Sequence, residues 1–81
     1  MRVMVRFFAA HREATGQPTY GADVPEGTRA SEVLGMLRER FPRLLAVSDH
    51  VAFAVNQTVV QADTVLRDGD ELALLPPMAG G

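Results

Sequence analysis

The chain has 81 residues, 47% hydrophobic and 22% charged, which is ordinary globular usage and argues against intrinsic disorder. That length fits one small domain, near the size at which a single core leaves only about 3–5 kcal/mol of net stability. A net charge of −2 with scattered basic residues argues against a nucleic-acid surface, and the lack of cysteine excludes disulfides, cysteine-held zinc and a thiol nucleophile.

From Arg2 to Phe8 the sequence alternates, with Val3, Val5 and Phe7 on one face and Arg2, Met4, Arg6 and Phe8 on the other. This predicts a half-buried strand. Parity places the Phe8 ring on the arginine face, where it is either covered by the next segment or part of a contact surface. Ala9 to Ala14 predicts a short helical turn, stopped by Thr15-Gly16-Gln17-Pro18. Tyr20, Ala22 and Val24 then alternate as a second strand closed by Pro25-Glu26-Gly27, and the simplest pairing with the first strand is antiparallel.

Thr28 is the expected N-cap of the clearest helix, whose apolar stripe is Ala30, Val33, Leu34, Leu37 and Phe41 and which Pro42 ends. The stripe reads as core. Gly35 inside it costs about 1 kcal/mol relative to alanine, so a packing reason such as close approach to the sheet is expected. Leu44 to His50 reads as a connection. Val51, Phe53 and Val55 share one parity in a third strand, Asn56-Gln57 predicts a turn, and Thr58-Val59-Val60 a short strand beyond it. Arg67-Asp68-Gly69-Asp70 is a turn signal before a last strand, with Leu72 and Leu74 facing one way and Glu71, Ala73 and Leu75 the other. One main helix on one face of a mixed sheet of about five strands, with the last strands returning beside the first, is the β-grasp plan of the α+β class.

The chain closes on Pro76-Pro77-Met78-Ala79-Gly80-Gly81. Two prolines favour a stiff extended stalk, and two glycines give a tip slim enough for a narrow channel. From Pro76 the segment reaches roughly 20 Å at about 3.3–3.6 Å per residue. We therefore expect a β-grasp domain over residues 1–77, a flexible tail over 78–81, and the Gly81 carboxylate as the candidate reactive group.

Side-chain chemistry is sparse. His11 and His50 lack metal-ligand spacing, so no metal site is expected. Ser31 and Ser48 stand in no nucleophile elbow, no glycine-rich phosphate loop follows a strand, and turn solvation explains Asp68, Asp70 and Glu71. No apolar run approaches the roughly 20 residues of a membrane span, and the start has no signal or transit pattern. A cytoplasmic location without membrane attachment is expected.

The ordered set Val5-Arg6-Phe7-Phe8-Ala9, Val55-Asn56-Gln57-Thr58-Val59-Val60, Leu66-Arg67-Asp68-Gly69-Asp70-Glu71-Leu72 and Leu75-Pro76-Pro77-Met78-Ala79-Gly80-Gly81 resembles the MoaD/ThiS family of ubiquitin-like sulfur carriers, in particular the small subunits of molybdopterin synthases. The resemblance implies a protein that is not an enzyme on its own. An E1-like adenylating enzyme would use ATP to form a transient acyl-AMP at Gly81, with no cofactor bound permanently. Sulfur from a donor protein would then convert the adenylate to a Gly81 thiocarboxylate.

Pro76, Pro77, Met78, Ala79 and Gly80 would carry that group into the large subunit, to build the dithiolene of molybdopterin on cyclic pyranopterin monophosphate. The family assembly is a heterotetramer of two small and two large subunits. Matching positions for the partner surface are Phe8, Val59 and Leu75, of which strand parity independently places Phe8 and Leu75 off the core face. An ordinary sheet role stays open for Val59.

Other readings are a carrier for thiamine or tRNA thiolation, a ubiquitin-like protein modifier and a plain β-grasp interaction module. Thiamine carriers are usually shorter and lack the Pro-Pro before the last four residues. All eight basic residues are arginine, so chains of the modifier linked through its own lysines are excluded, though single attachment to a target is not. Deleting Gly81 would leave the plain module working.

Overall fold

Alternation builds the first strand as expected. In the computed structural model, which describes residues 1–47 and 50–76, Val3, Val5 and Phe7 are buried along β1 (Arg2–Phe7) while Arg2, Met4 and Arg6 are exposed. A short helix α1 (Ala9–Thr15) follows, ended by Gly16 at φ 74°, a left-handed position that glycine takes without strain. The chain continues through β2 (Thr19–Asp23), α2 (Ala30–Arg40), a 3₁₀ turn at Pro42–Ala46, β3 (Ala52–Val55), β4 (Thr58–Val60) and β5 (Glu71–Leu75).

The strands form one sheet in the order β2-β1-β5-β3-β4. β1 runs parallel to β5, with Met4 opposite Glu71 and Phe7 opposite Leu74, and every other neighbouring pair is antiparallel. This is the β-grasp fold. Residues α2 buries are Ala30, Val33, Leu34 and Leu37, and they join Val3, Val5, Phe7, Phe53, Leu72 and Leu74 in one core. Phe41 closes the lower end, meeting Phe7 and Tyr20 edge-on with ring centroids 6.2 and 5.1 Å away.

Three local expectations need correction. Thr28 does not cap α2: the N-cap is Arg29, and the Thr28 hydroxyl donates to the Pro25 carbonyl at 2.7 Å, closing the preceding turn. The helix start is satisfied from elsewhere, because the Ala30 and Ser31 N–H groups donate to the carbonyls of Thr64 and Ala62 and Glu32 accepts from the Arg29 N–H. Gly35 has no packing reason, since a Cβ built there would meet nothing within 4 Å and the residue faces solvent. The stretch before β3 is more than a connection, as its 3₁₀ turn buries Leu44 at 1% exposure against the core.

The remaining turns follow their residues. Asn56 and Gln57 take φ of 50° and 72°, the doubly left-handed geometry of a tight hairpin between β3 and β4, and Gly69 takes 85° before β5. The expectations for Pro77, Met78, Ala79, Gly80 and Gly81, including the boundary after residue 77, lie outside the described residues.

Candidate functional site

The sheet has a second face, opposite α2, and register decides what stands on it. Arg6 pairs with Ala73, Ala73 with Ala54, and Ala54 with Val59, so these four side chains share one row on the outer face. Leu75 pairs with Ala52 in the next row, and Phe8 continues β1 with extended backbone at φ −131° and ψ 153° beyond the Phe7–Leu74 pair. Phe8, Leu75 and Val59 therefore lie on the same face. At about 4.8 Å per strand the patch extends roughly 14 Å from β1 to β4.

The relief of this face follows from residue size. Ala54 and Ala73 are buried yet stand outside the core, forming a floor between taller neighbours. Phe8 keeps 37% of its surface exposed and Val59 70%, while Leu75 is half-buried. An exposed phenylalanine and valine thus stand on either side of a floor of alanines. Register thus puts Val59 on the same face as Phe8 and Leu75.

Phe8 is held firmly. Its carbonyl accepts from the N–H groups of His11 and Arg12, and the chain swings into α1 through Ala9 at φ 48°, a left-handed conformation that costs an alanine about 1–2 kcal/mol. The Arg6 guanidinium sits 5.5 Å from the centre of the Phe8 ring and its Nη1 reaches Glu71 Oε1 at 3.5 Å. Sequence reasoning noted the parity of Arg6, Glu71 and Ala73 without assigning them to the site. The parallel pairing of β1 with β5 was the signal that joins them.

β5 carries the chain through Leu75 to Pro76. Leu75 ends the strand, Pro76 follows exposed, and a cavity of about 260 Å³ opens beside it, lined by Ala9, Ala10, His11, Ala46, Val47 and His50 as well as Pro76. His11 is buried at 4% exposure and its Nδ1 has no hydrogen-bond partner among the described residues. Burial, with a smaller contribution from the Arg38 cation, pushes its pKa below the ordinary 6.5. At the far end of the outer face Arg2 and Asp23 pair at 3.1 Å, which holds the Asp23 carboxyl below the usual carboxylate range.

Among the described residues no three His, Cys, Asp or Glu side chains gather as a metal site, and no helix is long and apolar enough to cross a membrane. The described residues offer a contact surface and a strand that ends at Leu75 and Pro76.

Comparison with known proteins adds to this geometry. The model of the ThiS family matches residues 5–81. A molybdopterin synthase sulfur carrier subunit from Mycobacterium tuberculosis is 39% identical over 82 residues, covering 100% of this chain and 99% of its own. The crystal structure of SAMP1 from Haloferax volcanii superposes with a TM-score of 0.84 at 27% identity, covering 100% of both chains. Subunit 1 or 2 in a protein–protein complex of the molybdopterin-converting factor from Helicobacter pylori superposes with a TM-score of 0.70 at 29% identity, again covering 100% of both chains.

Proposed function

This chain belongs to the ThiS family, and from that premise we propose that it is the sulfur carrier subunit of a molybdopterin synthase, with Gly81 as the carrying group. The observation that carries the reading is the bare apolar face that ends at Pro76. Phe8 and Leu75 stand where the chain leaves the sheet, and Val59 lies two strands away on the same face, so a partner seated on them receives the tail at a fixed origin. Binding energy gained on the face then makes the reaction at the tip effectively intramolecular.

The chemistry proposed for Gly81 needs no side chain of this protein. Held by an E1-like adenylating enzyme, the carboxylate attacks the α-phosphorus of ATP and expels pyrophosphate, which gives an acyl-AMP. The terminal sulfur of a donor-protein persulfide attacks the acyl carbon and expels AMP, and thiol reduction of the acyl disulfide leaves the thiocarboxylate. The large subunit takes in Pro76, Pro77, Met78, Ala79 and Gly80 as the stalk and supplies the acid–base groups for transfer to cyclic pyranopterin monophosphate. On this reading the chain is no enzyme alone and keeps no permanent cofactor, and it works in a heterotetramer of two small and two large subunits.

A second reading is favoured by the close superposition on SAMP1, a protein described elsewhere among the similar structures as a small archaeal modifier protein. There the Gly81 carboxylate would be joined to a lysine of a target. Intact mass after incubation with ATP, the activating enzyme and a sulfur donor separates the two. A gain equal to one oxygen replaced by sulfur, absent from a Gly81-deleted chain, is the expected result. No gain with an activating enzyme shown to be working overturns the carrier reading.

A further inference from the structure

The outer face carries a cation among its apolar side chains, and neither the stalk nor the terminal chemistry uses it. Arg6 stands in one row with Ala73, Ala54 and Val59, beside Phe8, and its side chain is 44% exposed. A guanidinium has five N–H donors. The described structure gives this one a single carboxylate contact, Nη1 to Glu71 Oε1 at 3.5 Å, the outer limit of a hydrogen bond. Water serves the remaining donors while the face is open.

Covering Phe8 and the alanine floor removes that water. Glu71 does not replace it, because its one contact with the guanidinium is Oε1 to Nη1 at 3.5 Å, which leaves the other donors unserved. A cation left buried with so poor a partner opposes association strongly. The Phe8 ring under the guanidinium holds it, and a planar fork held in place suits a carboxylate gripped through two parallel N–H bonds.

Resting on the carrier reading above, we infer that Arg6 is a partner-specificity residue: the large subunit that covers this face presents a carboxylate side chain to the Arg6 guanidinium. Phe8, Val59 and Leu75 supply contact area that many apolar surfaces match. Arg6 selects among them, because a partner without the acid must bury a cation held only by the long contact to Glu71.

The test compares wild-type protein with R6M and R6E for binding to the purified cognate large subunit by calorimetry at low and high salt. Arg6 is on the surface, and unchanged thermal melting of R6M confirms an intact fold. We expect R6M to weaken binding by more than about tenfold, R6E to weaken it further, and the salt dependence of R6M to be flatter than that of wild type. The sign of the R6M effect decides the matter. Methionine keeps the apolar contact and removes the charge, so equal or tighter binding by R6M means that no carboxylate faces Arg6 and overturns the inference alone. Failure of the wild-type chain to bind overturns the carrier reading and the inference with it.

Discussion

The two faces of the sheet are made by the same strands and differ only in residue parity, yet they have opposite fates. Val3, Val5, Leu72 and Leu74 face α2 with no exposed surface, whereas Met4, Phe8 and Val59 face outward at 41, 37 and 70% exposure. The inner face is finished within the chain. The outer face holds apolar surface that the described residues leave exposed, with a floor of alanines rather than a second helix. On the proposed reading, folding stability belongs to one parity and recognition to the other, and substitutions can test that division.

The largest effect should come from the inner face. Leu72→Ala removes a fully buried side chain from the strand between β1 and β3, at a cost of about 2–5 kcal/mol. In a domain of this size each kcal/mol lowers Tm by roughly 4–8 °C, so the thermal melt should fall by at least about 8 °C. On the outer face, Phe8→Ala should change stability by less than about 1 kcal/mol while weakening the large-subunit complex by about 2 kcal/mol or more, some thirtyfold in Kd. Melting and binding measured on both variants check this. A Phe8→Ala chain that melts as early as Leu72→Ala would erase the distinction between the faces.

Next comes a gain. Gly35 lies on the exposed side of α2 with open space around its missing Cβ, so Gly35→Ala should raise stability by about 1 kcal/mol, read as a rise of some 4–8 °C in Tm. Loss of stability there would reveal a contact that the helix surface does not display.

These same residues mark what the sequence alone could and could not tell. Alternation in β1 and β5 exposed the parity of the residues in those two strands, because burial on one face is imposed by a period of two. It could not reveal which outward residues become neighbours, since Arg6 meets Ala73 and Val59 meets Ala54 only through strand order and register. Thr28 had the chemistry of a cap and lost the position to carbonyls of Ala62 and Thr64, more than 30 residues away, a long-range partner that local pattern does not encode. Ala9 gave no warning of its positive φ, because tertiary packing around Phe8 and α1, not residue preference, sets it. Gly81, the residue on which the proposed chemistry depends most, was singled out by sequence and resemblance alone.

The smallest effect concerns a single titrating group at the border of the two faces. His11 is buried in α1 beside the cavity at Pro76, with Nδ1 unpartnered among the described residues, and its folded pKa is lowered by burial first and by Arg38 second. Above about pH 6.5 both folded and unfolded chains hold the imidazole neutral, and His11 adds no pH dependence. As pH falls through 6.5 the unfolded chain takes up a proton that the folded chain resists, so stability declines until the folded pKa is passed. Asp23 acts in another window: Arg2 lowers its folded pKa, so its stabilising contribution is present above about pH 3.8 and is lost only below. Melting curves between about pH 7.5 and about pH 5 should therefore show Tm falling in wild type and a flatter profile in His11→Leu, whatever the two absolute values are. His50 lines the same cavity, and a slope that persists unchanged in His11→Leu would mean that another group carries the titration and that burial of His11 leaves no mark on stability.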